Sequence, residues 1–160
     1  MKSLILASAM LIFALGAIAQ KVNKVVSKPY KVYGKEIGKK FFYPYGKEGD
    51  EFEKFYAKVD GDTLYITIEH FKEKTGQLSY VYNYRLPFKH PDLVFSEVKK
   101  WYGATDVYQI NITGKNKTTF SYDFIDSDGK ITPSTSSSYI TSLSFNDETA
   151  ANSLLKSIKK

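Results

Sequence analysis

The chain has no cysteine, one tryptophan and two histidines among its 160 residues. Without thiols there is no disulfide scaffold, no cysteine nucleophile, no thiolate metal site and no lipid-modified cysteine anchor. His70 and His90 leave little for a histidine-built metal centre or relay. Arginine is equally scarce, with Arg85 alone against 22 lysines. The bidentate forks that read base edges are therefore missing, which argues against sequence-specific nucleic-acid binding. The longest uncharged stretch, Ser3 to Gln20, is nearly half alanine, serine and glycine, eight of its 18 residues. It falls short of the roughly 20 strongly apolar residues that span a bilayer.

That stretch has another use. Residues 1–19 read MKSLILASAMLIFALGAIA, with Lys2 before an apolar run and Ala17-Ile18-Ala19 at its end. A short apolar segment closing on small residues is the pattern of a cleaved secretory signal. The expectation is an exported chain, periplasmic or extracellular, that begins at Gln20 and does not span the membrane once cleaved.

Charge is divided along the chain. From residue 20 to 47 there are eight lysines against one acid, Glu36, whereas residues 48–160 carry fourteen bases and sixteen acids. The reading is a basic N-terminal arm over 20–47 followed by a single domain over 48–160. Pro29, Gly34, Gly38, Pro44 and Gly46 interrupt the arm, although Lys40-Phe41-Phe42-Tyr43 reads as a first strand. Charge runs are usually solvated, and the alternative is contact with an anionic surface.

What is abundant is aromatic: 13 tyrosines and 11 phenylalanines, residues that favour strands. Phe52 to Val59 and Thr63 to Phe71 alternate on either side of Asp60-Gly61-Asp62, a strong hairpin signal. Leu78 to Leu86 follows, with Tyr80, Tyr82 and Tyr84 on one face. Pro87 and Pro91 then break the rhythm. Between residues 92 and 102 a helical turn, from the spacing of Val94, Val98, Trp101 and Tyr102, competes with a brief strand at Ser96 to Lys100. Strands resume over 106–113 and 118–125, the latter with Phe120, Tyr122 and Phe124 on one face. A loop or edge strand over 131–138 leads to a last strand, Tyr139 to Phe145. Asn146 is read as the N-cap of a closing helix, whose Ala151, Leu154, Leu155 and Ile158 form an apolar stripe. The fold class is mainly β: an antiparallel barrel or sandwich of about six to eight strands closed by one C-terminal amphipathic helix.

Catalytic and metal signatures are absent. Asp126-x-Asp128-Gly129 matches the middle of a calcium loop, but Phe124 and Thr135 stand where ligands belong. There is no Gly-x-Ser-x-Gly elbow and no spacing that assembles a triad. The chain is therefore read as a non-enzyme with no cofactor, no metal and no catalytic residue. Tyrosine faces on strands are normally core, and the alternative is a platform for a sugar ring or a protein partner.

The opening meander, the Leu86-Pro87-Phe88 to Val98 stretch and the closing Ser-Phe-Asn-Asp-Glu-Thr-Ala-Ala-Asn-Ser-Leu-Leu segment resemble a pleckstrin-homology-like barrel. The ending is also similar to that of small exported Bacteroidetes proteins of unknown function. The resemblance implies the fold and not phosphoinositide binding, because the first turn here is the acidic Asp60-Gly61-Asp62. A lipocalin-like barrel is the architectural rival, without that family's Gly-x-Trp on the first strand. The functional expectation is an exported binding module for a protein, peptide or glycan at the cell envelope; the alternative is a lipocalin-like carrier of a small apolar ligand, with a hydrolase behind both. Lys35, Lys39 and Lys40 at the end of the arm, with Trp101 and Tyr102, are the candidate binding residues.

Overall fold

The computed structural model describes residues 28–42, 51–72, 75–101 and 106–159. The predicted leader, residues 1–19, lies outside them. Among the described residues there are ten strands and one helix: β1 (Lys35–Phe42), β2 (Glu51–Asp60), β3 (Thr63–Lys72), β4 (Gln77–Pro87), β5 (Leu93–Phe95), β6 (Lys99–Trp101), β7 (Val107–Gly114), β8 (Phe120–Asp126), β9 (Ile131–Ser136), β10 (Tyr139–Phe145) and α1 (Glu148–Ile158). All strand pairings are antiparallel. One sheet has six strands in the order β1-β2-β3-β4-β8-β9; the other runs β10-β7-β5, with β6 also paired to β7.

The period-two alternation decides which side chains meet between the sheets. Phe55, Ile66 and Tyr84 from the larger sheet pack with Ile110, Ile112, Leu143 and Phe145 from the smaller in one buried cluster. The result is a sandwich. The sheets do not close, so the barrel form of the expectation gives way to the sandwich form. The contact between β1 and β10 brings the sheets together at one corner. There a Cβ on Gly38 would lie 2.2 Å from the Ser144 carbonyl oxygen, so only glycine permits this approach. Asn146 completes the corner, its Oδ1 accepting from Lys39 N at 2.9 Å and its Nδ2 donating to Lys39 O at 3.2 Å.

That use of Asn146 corrects the expected helix cap. Asp147 caps α1 instead, its carboxylate accepting from Thr149 N and Ala150 N. Ala151, Leu155 and Ile158 are buried in the main cluster, and Leu154 is half-buried at its edge. Between residues 92 and 102 strand wins over helix. β7 supplies an edge for both β5 and β6, and Ser96 is tied to Asn111 through its backbone and its hydroxyl. Pairing with a distant strand overrides the local helical spacing.

The folded unit also begins earlier than the composition shift at residue 47 suggests. β1 is a full strand of the larger sheet, and residues 28–33 cross the outer face of that sheet as a strap. Tyr30 packs on Val81 and Ile125. Lys31 O accepts from Asn83 Nδ2 at 3.0 Å, and Tyr33 N donates to Thr67 Oγ1 at 2.9 Å. Gly34, at φ +77°, then turns the chain into β1, where a Cβ would collide with the Ala57 carbonyl. Among the described residues no helix is long and apolar enough to cross a membrane.

Candidate functional site

Register places two rows of side chains next to each other on the inward face of the six-stranded sheet. One row is Lys40, Glu53, His70, Tyr80 and Asp126, on β1, β2, β3, β4 and β8 in turn. The neighbouring row is Gly38, Phe55, Ile68, Tyr82 and Phe124. Beyond it Tyr84 stands opposite Tyr122. Tyr84 is in the core, but Tyr80, Tyr82, Tyr122 and Phe124 are only half-buried. The tyrosine face expected as core is therefore core at one end and a half-buried wall at the other.

Against this wall lies an open cleft of about 320 Å³, with β10 on its far side. Lys40, Glu53, Tyr82, Tyr84, Tyr122 and Tyr139 line it. Tyr139 is 59% exposed, beside a register shift between Tyr139 and Thr141 that breaks the β10 alternation. Burial raises the pKa of Tyr82, helped by Tyr122 and Glu53, so its hydroxyl stays a donor at neutral pH. Burial likewise lowers the pKa of Lys40, with Glu53 working in the opposite direction.

His70 is the pivot of the polar row. Its side chain is 8% exposed; Nε2 lies 3.2 Å from Glu51 Oε2, and Nδ1 lies 3.5 Å from Glu53 Oε1. The second contact is at the limit of hydrogen-bond reach, and Nδ1 has no well-formed partner. Tyr80 stacks on the imidazole at 4.4 Å between centroids, with the planes 9° apart. Burial alone would lower the pKa of His70, but Glu53 and Glu51 together outweigh it and the net shift is upward. Burial raises Tyr80 to about 12.

The candidate residues read from sequence are only partly brought together. Lys40 reaches the cleft, and its ammonium stands 4.6 Å from the centre of the Trp101 ring across the gap between the sheets. Lys39 points to the opposite face, over Phe41 and Phe52 at 4.2 and 3.9 Å. Lys35 is exposed at the start of β1, away from the cleft lining. Tyr102 lies outside the described residues. Glu53, His70 and Tyr139 were missed. Glu53 carried a readable signal: a carboxylate two residues from Phe55 on the apolar face of an alternating strand. Tyr139 carried none, since it stands beside a register shift.

The Asp126 turn is occupied by backbone, Oδ1 accepting from Asp128 N and Lys130 N at 3.0 and 2.9 Å. Among the described residues no group of three or more histidine and carboxylate side chains is placed to hold a metal ion. No protein family, curated protein or solved structure matches the chain.

Proposed function

We propose that this chain is an exported, non-catalytic binding module and that its ligand sits in the cleft between the two sheets. The observation that carries the reading is the wall of half-buried tyrosines facing an open space of about 320 Å³. That volume lies in the range of small-ligand sites, and aromatic rings with polar tips supply contact area and directed hydrogen bonds together. Among the described residues the polar and ring contacts of His70 are with Glu51, Glu53, Phe42 and Tyr80, with no serine or threonine hydroxyl among them for the imidazole to activate.

A carrier of a small apolar ligand is the second reading, and the cleft volume favours it. Its lining does not. Covering Lys40 and Glu53 with an apolar molecule would desolvate both without new partners, a cost of several kcal/mol.

The test uses Trp101, the one tryptophan of the chain, as a reporter beside Lys40. Soluble fragments of the host cell envelope added to the mature protein are expected to change its emission, and Tyr82→Ala is expected to abolish the change. A response that survives Tyr82→Ala would count against the cleft. An apolar molecule extracted from the purified protein would favour the carrier.

A further inference from the structure

We infer that the ligand of this cleft is a neutral glycan chain, lying along the inward face of the six-stranded sheet and extending out of the cleft onto Tyr80. The inference rests on the reading of the cleft as the ligand site and names what it takes.

A sugar ring is amphipathic: its C–H faces are apolar and its rim carries hydroxyls. The two register rows offer both surfaces next to each other. Tyr82 and Phe124, with ring centroids 5.7 Å apart, form an aromatic strip. Glu53, His70 and Tyr80 form a polar strip two residues further along each strand, a displacement of about 6.6–6.8 Å. Ring faces stack on the first strip and continue onto the Tyr80 ring, while hydroxyls meet the Glu53 carboxylate of the second.

Charge decides against an ionic ligand. The charged residues of the lining, Lys40 and Glu53, are one of each sign and stand opposite each other in register, so the lining carries no net charge. The aromatic wall continues past the cleft lining, since Tyr80 is half-buried and 6.0 Å from Phe124. A single ring would leave Tyr80 unused, and a chain would not. An extended peptide would seek backbone partners along a strand edge, β9 or β10, whereas the aromatic and polar strips are side chains on a sheet face.

His70 is a positioning residue in this arrangement. The imidazole, over nine-tenths buried, lies flat against Tyr80 and holds its ring, while its nitrogens face Glu51 and Glu53. Glu53 makes only a 3.5 Å contact to His70 Nδ1, so its carboxylate keeps acceptor capacity for a sugar hydroxyl.

The experiment titrates the full mature chain with glucose and N-acetylglucosamine oligomers, from monosaccharide to hexasaccharide, following Trp101 emission and backbone amide shifts. Affinity is expected to rise with chain length and then level off. Tyr80→Ala is expected to weaken the long oligomers by roughly two- to tenfold, the worth of one aromatic stacking contact, and to leave the monosaccharide unchanged. Tyr80→Phe, which keeps the ring, retains the length dependence and guards against a folding artefact. If the cleft resonances respond to an envelope peptide or an apolar molecule but to no oligosaccharide, the glycan assignment falls and the cleft reading stands. If oligosaccharides bind Tyr80→Ala and Tyr82→Ala as tightly as they bind the wild type, both fall.

Discussion

The Lys28 ammonium rests on the Glu69 carboxylate, 41 residues further along the chain. Glu69 has no exposed surface, and it also accepts from Tyr30 Oη at 2.6 Å and Tyr56 Oη at 2.9 Å. Burial, followed by the hydrogen bond to Glu69, raises the pKa of both tyrosines, so both remain donors. The strap and β2 thus converge on one buried acid of β3. Removing Lys28 leaves two hydroxyl donors in place, so Lys28→Ala is expected to cost about 1–3 kcal/mol in denaturant unfolding. Lys28→Met combined with Glu69→Gln should cost less than the sum of the single changes. An unfolding midpoint unmoved by Lys28→Ala would show that the pair contributes nothing.

Where the folded unit starts can be tested by truncation. A chain beginning at Lys28 keeps the strap and β1, and it is expected to unfold in one cooperative transition. A chain beginning at Lys47 lacks both, uncovers Val81 and Ile125, and leaves β2 as a bare edge. It is expected to lose its thermal transition or to aggregate. A cooperative transition for the shorter chain would make the strap and β1 dispensable. For the same reason, contact of the lysines with anionic vesicles is better tested by Lys31→Gln and Lys35→Gln than by deletion. Both side chains are exposed, and a contact of this kind should fade between 0.1 and 1 M salt, as the screening length falls from about 10 to about 3 Å.

A proton on His70 should stabilise the fold. Glu51 and Glu53 of β2 face the ring, with Phe42 of β1 and Tyr80 of β4 packed beside it. Its folded pKa is raised, so the stabilisation is fully present below the unfolded value of about 6.5 and is lost as pH rises through the higher folded value. Thermal stability compared between wild type and His70→Gln should show a gap that narrows from mildly acidic toward alkaline pH. A gap independent of pH would mean that His70 contributes packing alone.

The helix stripe makes a positional prediction. Leu155 is 8% exposed within the core cluster, whereas Leu154 only borders it. Leu155→Asp forfeits about 1.5–3 kcal/mol of burial and adds an unpaired buried carboxylate, and it is expected to abolish cooperative folding. Leu154→Asp should lower the melting temperature and leave the transition intact. Equal effects at the two positions would mean that the helix packs differently.

The strands over 51–87 and 107–145 could be read from the chain alone, because alternation and the Asp60-Gly61 turn are local and a half-buried strand has period two. The same holds for α1, since its apolar stripe has period 3.6. Three features had to wait for the tertiary structure, each because it depends on contacts distant in sequence. Residues 93–95 and 99–101 are strands because β7 offers an edge, although the spacing over this stretch is helical. Asn146 serves β1 and not the helix, because Gly38 lets the two sheets come close at that corner. Lys40, Glu53, His70 and Tyr80 belong to four different strands, and only register makes them neighbours. Composition could show that tyrosines were plentiful. Which of them entered the core and which faced open space was decided by how far the smaller sheet covers the larger one.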